Sequence, residues 1–261
     1  MPEYKLSFDD GAAYEQMMGI WSRLAGAVFL DWLAPAPGLR WIDAGCGNGA
    51  FTELLIERCA PAEVQGIDPS EAQIAFARER LAGGVATFQT GDAMALPFPA
   101  DRFDAGVMAL VLVFLPDPAK GVAELMRVVA PGGAVATYMW DIEHGGFPLE
   151  PFLAELRAMG ISPTPPRTAA SRTEVMRKLW SEAGVAAIET REIAVRRTFA
   201  SFEDFWATGQ ASSWVGPALR AMTPREVETL QGRMRDAHPA DASGRLTLSA
   251  RANAIKGVRP R

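Results

Sequence analysis

Residues 41–51 read WIDAGCGNGAF, and the fold turns on how this stretch is interpreted. An apolar start, Trp41-Ile42, runs through Asp43 into glycines at alternate positions, Gly45, Gly47 and Gly49, and a helical pattern follows. Spelled this way, the segment is a strand, a tight turn and a helix start. Glycines let the backbone at such a turn bend freely and approach a ligand closely. In an open parallel sheet this first strand–helix turn is the usual contact point for a nucleotide-like guest.

The pattern on either side agrees. Upstream, Tyr14, Met17/Met18, Trp21, Ala25, Val28 and Trp32 recur at three- and four-residue spacing, which predicts an amphipathic helix over about 11–33, closed by Pro35 and Pro37. Downstream, strand-like runs at Val64–Asp68, Val85–Thr90, Asp104–Leu112 and Ala134–Trp140 alternate with helical runs. Ser70-Glu71-Ala72-Gln73 fits a capping box, and Asp117-Pro118 supplies an N-cap followed by proline at the first helical position. Gly83-Gly84 and Gly132-Gly133 mark turns before the next strands. Such alternation predicts a parallel sheet with helices on both faces.

After Trp140 the rhythm changes. Residues 141–185 carry prolines and helix signals, including Ser171-Arg172-Thr173-Glu174 as a capping box and Gly184 as a stop. Ala187–Arg197 predicts a sixth strand, residues 202–237 are helical with a Thr223–Glu226 cap, and alternation over Leu246–Ile255 predicts a closing strand. The expected architecture is one α/β domain over 1–261. Its seven-stranded, mostly parallel, Rossmann-like sheet draws on about 38–140, 186–198 and 245–257. Helical cap insertions at about 141–185 and 199–244 flank the sixth strand, and a lid helix at about 11–33 precedes the first. Trp140, Phe147, Phe152, Trp180, Phe202, Phe205, Trp206 and Trp214 crowd those insertions. Packing of a helical cap is their ordinary use, and lining an apolar pocket is the alternative.

Bulk properties narrow the partners. A net charge of −5 over 261 residues argues against nucleic-acid binding, which needs a basic face. Cys46 and Cys59 are the two cysteines and have no CxxC spacing, so a disulfide framework is not expected and a reducing cytoplasm is. The opening MPEYKLSFDD lacks a basic stretch followed by an apolar one, so no signal peptide is expected. The longest apolar run, Val107 to Leu115, is too short to span a membrane, and no membrane partner is expected. No cluster with ligand spacing suggests a metal. Arg167, Arg172, Arg177 and Lys178 read as a solvated helix face.

Two guests compete for the glycine turn. Gly45-Cys46-Gly47-Asn48-Gly49-Ala50 aligns with GxGxxG/A, and Asp68 stands about 20 residues on, as in a dinucleotide site. Against this, Asp43 would repel a pyrophosphate but suits an ammonium group. The third glycine gives GxGxG, and Asp92 follows the third strand, where it could accept a hydrogen bond from an adenine amino group. Three carboxylates after three successive strands suit a cationic nucleoside without phosphate, namely S-adenosylmethionine.

The segment from about Tyr14 to Trp140 resembles the class I S-adenosylmethionine-dependent methyltransferases, particularly the UbiE-like, or methyltransferase type 11, group. The resemblance rests on Ile42-Asp43-Ala44-Gly45-Cys46-Gly47-Asn48-Gly49, Gly66-Ile67-Asp68-Pro69-Ser70, Gly91-Asp92-Ala93-Met94-Ala95-Leu96-Pro97-Phe98, Asp101-Arg102-Phe103-Asp104 and Arg127-Val128-Val129-Ala130-Pro131-Gly132-Gly133. It implies that Gly45, Cys46, Gly47 and Gly49 underlie the methionine portion, with Cys46 a small spacer rather than a nucleophile. Asp68 would take the ribose hydroxyls, and Pro69 would pack on the adenine. Asp92 would reach the adenine amino group, flanked by Ala93 and Met94. Ala109 and Leu110 would lie beside the methionine amino group and the methyl. Tyr14, Met18, Trp21 and Arg23 resemble the lid helix of relatives, with Arg23 a candidate partner for the cofactor carboxylate.

Methyl transfer from a sulfonium is an in-line displacement that needs chiefly alignment. Relatives often carry a histidine after the fourth strand, where this chain reads Leu112-Val113-Phe114-Leu115-Pro116, an apolar wall. His144, beside Asp141 and Glu143 after the fifth strand, is the remaining candidate base, with a solvated loop residue as its alternative. The expected function is methyl transfer to a small, partly apolar acceptor, yielding S-adenosylhomocysteine. The alternatives are an NAD(P)-dependent oxidoreductase and a cofactor-binding regulator without catalysis.

Overall fold

The computed structural model describes residues 18–161, 168–212 and 214–261. Side-chain direction alternates along each strand, so adjacent residues serve opposite faces of a sheet. In β1 (Arg40–Ala44), Trp41 is buried on one face and Ile42 on the other. The same division separates Val107 from Met108 in β4 (Phe103–Ala109) and Tyr138 from Met139 in β5 (Val129–Trp140). Both faces therefore need covering.

β1, β2 (Glu63–Asp68), β3 (Ala86–Thr90), β4 and β5 pair in parallel. β7 (Leu246–Val258) runs antiparallel between β5 and the outermost β6 (Ala186–Phe199), giving the order β3-β2-β1-β4-β5-β7-β6. From β1 the chain steps outward to β3, then returns to lay β4 on the other side of β1. The crevice at that reversal lies beyond the carboxyl ends of β1 and β4, where open α/β sheets bind ligands.

On one face α1 (Ile20–Leu33) packs with α2 (Ala50–Cys59). α1 ends before Pro35, with Ala34 in the left-handed region and its N–H donating to Leu30 O (3.0 Å). The other face is covered by α4 (Pro118–Val128) and α6 (Thr173–Glu182). Trp180 of α6 thus packs in the cluster on the sheet and not in the cap expected over 141–185. α3 (Glu71–Arg80) packs on β2 and β3 through Ile74 and Ala77. The cap itself comprises α5 (Glu150–Ala158), α7 (Phe202–Ala211), α8 (Gly216–Ala221) and α9 (Pro224–Ala237). Phe152 packs at a tilt against Phe205 (4.8 Å between centroids) and Trp206 (5.3 Å), and Trp21 meets Phe199 (6.4 Å). These rings belong to one buried cluster that is continuous with the sheet, so they serve as core.

Cap chemistry follows sequence at some helix starts and departs from it at others. Asp117 accepts from Lys120 N (3.1 Å) with Pro118 next, and the Thr223–Glu226 box is complete. Ser70 caps α3 by accepting from Gln73 N (3.4 Å). Ser171 does not cap α6: it ends a short 3-10 turn (Thr168–Ser171), and the N-cap is Arg172. β4 is shorter than the run to Leu112 predicts. Leu110 adopts φ 62, which ends the strand, and Leu112–Phe114 forms a 3-10 turn.

Candidate functional site

The turn between β1 and α2 is built as its glycines require. Gly45, Gly47 and Gly49 all have positive φ (86, 52 and 80°). At Gly45 a Cβ would lie 2.4 Å from Val111 Cγ2, so the residue must be bare for the segment after β4 to close beneath it. At Gly47 a Cβ would meet nothing within 4 Å, so that position opens onto free space. Gly45 N and Cys46 N both donate to Ile67 O (2.7 and 2.9 Å), tying the loop to β2.

Carboxylates surround this loop. Gly47 N donates to Asp68 Oδ2 (3.0 Å) and Ser70 N to Asp68 Oδ1 (2.9 Å), which aims the half-buried Asp68 at the loop. Burial raises the Asp68 carboxyl above its ordinary range, and these two bonds oppose the shift. Asp43 is fully buried at the end of β1, and its Oδ2 accepts from Thr52 Oγ1 of α2 (2.7 Å). Its Oδ1 has no hydrogen-bond partner among the described residues. Desolvation pushes Asp43 up to about 7; the Thr52 bond opposes this, and the charge of Asp68 adds to it. Cys46 is buried, and desolvation, with Asp43 and Asp68 nearby, holds its thiol well above the usual value. A thiol so disposed is a poor nucleophile.

Gly91 N donates to Asp68 O (3.0 Å), which draws the ends of β2 and β3 together. Beyond it, Asp92 is exposed and its Oδ1 accepts from Met94 N (2.8 Å), while Ala93 is buried. Pro69 is exposed beside Asp68. On the other flank, Ala109 ends β4 and Leu110 follows it, with Leu110 N donating to Tyr138 O (2.9 Å). A leucine at φ 62 is a strained backbone position, of the kind found where a loop is shaped for a ligand. The structure thus ties the glycine turn to Asp68 through Gly47 N, sets Asp43 close enough to Asp68 to feel its charge, and brings the segment after Leu110 against Gly45.

The expected lid residues fare differently. Tyr14 lies outside the described residues. Met18 and Trp21 are buried in the core. Arg23 needs correction as a cofactor-carboxylate partner: its Nη1 pairs with Glu53 (3.0 Å) and its Nη2 with Glu57 (2.9 Å). A guanidinium matched by two carboxylates has no unpaired charge to offer a third. Of the basic cluster, Arg167 lies outside the described residues. Arg172 faces Glu143 (3.3 Å), Arg177 Nη2 donates to Thr190 Oγ1 (2.9 Å), and Lys178 faces Glu182 (3.8 Å).

Past β5, His144 Nδ1 meets Asp141 Oδ1 at 2.9 Å, and Arg251 Nη2 of β7 reaches Asp141 Oδ2 (3.0 Å) and His144 O (2.8 Å). Thr52, Val111 and Arg251 were not legible as site residues. Arg251 is 110 positions from Asp141, and only the β5–β7 pairing brings them together.

With this geometry in hand, the known relatives are informative. Residues 42–137 match the family model described as a methyltransferase domain. Over 118 residues the chain is 39% identical to 2-methyl-6-phytyl-1,4-hydroquinone methyltransferase 2, chloroplastic, of Oryza sativa subsp. japonica, covering 45% of this chain and 33% of the relative. Over 106 residues it is 38% identical to the demethylmenaquinone methyltransferase of Desulfitobacterium hafniense (strain Y51), covering 39% and 42%. The matches thus span less than half the length of these curated relatives. Among solved structures, a phosphoethanolamine N-methyltransferase 2 from Haemonchus contortus, in complex with S-adenosyl-L-methionine, aligns with TM-score 0.58 at 18% identity, over 100% of this chain and 62% of that one. The [4+2]-cyclase SpnF aligns with TM-score 0.56 at 21% identity, over 92% and 82%. At these identities the shared property is the fold, and the second example performs different chemistry on it.

Proposed function

We propose that this chain is an S-adenosylmethionine-dependent methyltransferase acting on a small, partly apolar acceptor. The observation that carries the proposal is Asp43: a buried carboxylate with one unpartnered oxygen beside a loop that has glycines in place of side chains. A pyrophosphate placed there would face an acid at close range, whereas the ammonium of an amino-acid moiety would supply the missing partner. Asp68, with both oxygens held by backbone N–H groups, retains lone pairs for a ribose diol. Asp92, exposed next to it, serves an adenine amino group, and Ala93 and Met94 flank the ring. Ala109 and Leu110 border the reacting end.

When bound, S-adenosylmethionine supplies a methyl group on a positively charged sulfur, a leaving group already activated. The chain's part is to orient the acceptor in line and to exclude water, for which the 3-10 turn Leu112–Phe114 offers an apolar wall. The named relatives act on hydroquinone and menaquinone-type rings, which supports an aromatic, apolar acceptor here. Both cysteines are free thiols, which supports a reducing, cytoplasmic setting. Among the described residues no helix is long and apolar enough to cross a membrane.

Titration calorimetry with S-adenosylhomocysteine tests the assignment. Wild type is expected to bind, and Asp68→Ala to lose about 2–4 kcal/mol of binding while remaining folded, given two charge-assisted hydrogen bonds. Unchanged affinity in Asp68→Ala removes the ribose role. A response to NAD(H) with none to S-adenosylhomocysteine overturns the function.

A further inference from the structure

Resting on that reading, we propose that His144 is the general base for an acceptor carrying an acidic aromatic hydroxyl, positioned by Asp141 and Arg251. The geometry is that of an oriented imidazole. The Asp141 side chain is only 6% exposed, and its two oxygens are divided between His144 Nδ1 and Arg251 Nη2. A carboxylate so fixed accepts from Nδ1–H, which selects the tautomer with its lone pair on Nε2. The His144 side chain is 61% exposed, so Nε2 is open to an incoming molecule.

Position along the sheet agrees. Tyr138 is level with Ala109 in the β4–β5 register and accepts from Leu110 N. Asp141 stands three residues further on, just past the carboxyl end of β5 and therefore at the same edge of the sheet as Ala109 and Leu110. The turn carrying His144 is linked to the Leu112–Phe114 turn from two directions. Thr168 Oγ1 donates to Glu143 Oε1 (2.8 Å), and the 3-10 turn that begins at Thr168 packs on Leu112–Phe114. Phe147 stacks on Trp214 (4.5 Å), which meets Phe114 edge-on (6.5 Å).

The other charges around the dyad are already matched. Glu143 faces Arg172, Glu150 beside Gly145 pairs with Arg157, and Glu192 of β6 lies 3.8 Å from Arg251. Asp141 is the carboxylate that touches the ring. In the step itself, Nε2 takes the hydroxyl proton and the oxygen, or the ring carbon it activates, forms the bond to the methyl carbon. The carbon–sulfur bond breaks with its electron pair going to sulfur, leaving a neutral thioether. The imidazolium is held by Asp141 until its proton passes to water. If a ring carbon is the acceptor atom, that carbon then loses its own proton to water as aromaticity returns.

The test uses the full chain loaded with S-adenosylhomocysteine and the chromophoric probe 4-nitrophenol, which is yellow only when ionised. Wild type is expected to bind the probe as phenolate, lowering its apparent pKa by about one to three pH units, as a neighbouring cation does. His144→Gln is expected to abolish that shift while S-adenosylhomocysteine affinity stays within about twofold, and Asp141→Asn to reduce it. Imidazole 15N spectra supply a second measure, since His144 and His238 are the two histidines. The wild-type His144 is expected as the Nδ1–H tautomer, and Asp141→Asn is expected to redistribute it. An unshifted probe in wild type, equal shifts in wild type and His144→Gln, or an Nε2–H tautomer would overturn the base assignment. Failure of wild type to bind S-adenosylhomocysteine would instead overturn the methyltransferase reading itself.

Discussion

On the proposed reading, Asp43 joins folding and binding through its charge. Its carboxyl, pushed up to about 7 by burial, is mostly protonated at pH 6. Because the folded value exceeds the unfolded one, the native state holds a proton there that the unfolded chain has lost. Asp43 therefore destabilises the fold progressively as pH rises from about 4 to 7. An arriving ammonium reverses the balance by favouring the ionised form. Binding of S-adenosylhomocysteine at pH 6 is accordingly expected to release close to one proton, and at pH 8 almost none. Calorimetry in buffers of different ionisation enthalpy reads this directly, and Asp43→Asn should remove the release. Thr52→Val, which deletes the 2.7 Å bond to Asp43 Oδ2, should move the release to higher pH.

The loop between β1 and α2 poses a question at the next scale, because its glycines are bare for different reasons. Gly45 is bare because Val111 lies against it, and Gly47 because the space in front of it must stay open. Gly45→Ala adds both a strained φ and an overlap with Val111, so it is expected to destabilise the fold by about 2–4 kcal/mol, seen as a lower denaturation midpoint. Gly47→Ala adds a Cβ to empty space at φ 52, where alanine costs only about 1 kcal/mol. Its expected signature is a near-normal melting temperature with cofactor affinity reduced about tenfold or more. Were both variants to lose stability alike, the distinction between packing glycine and ligand glycine would fail.

Across the whole molecule, the cap and the sheet share one buried cluster, so the cap is unlike an independent lid. Phe152 occupies its middle, fully buried against Phe205 and Trp206, and Gly209 is bare because a Cβ would fall 2.2 Å from the Phe152 ring. Phe152→Ala is expected to cost about 3–5 kcal/mol, a fall of roughly 10 °C in Tm for a chain of this size. Calorimetric scans should show one transition, with cap and sheet melting together. Two separated transitions would mean that the cap folds on its own.

Most of what depends on local pattern was legible in the sequence alone, the Ser171–Glu174 box being an exception because Arg172 holds the N-cap position. The alternation of strands and helices, the turn at residues 45–49, the Asp117 and Thr223 caps and the carboxylates at the ends of β1, β2 and β3 were all legible, because period, capping and glycine placement act within a few residues. Tertiary structure decided what depends on distant segments meeting. It ended β4 at Ala109 by forcing Leu110 into a left-handed turn, and it placed α6 on the sheet instead of in the cap. It also spent the charge of Arg23 on Glu53 and Glu57, and brought Arg251 beside Asp141 and His144. Periodicity says which face of an element is buried but not which neighbour covers it. A charge in the sequence likewise carries no sign of its partner, because that partner is chosen by strand order and register.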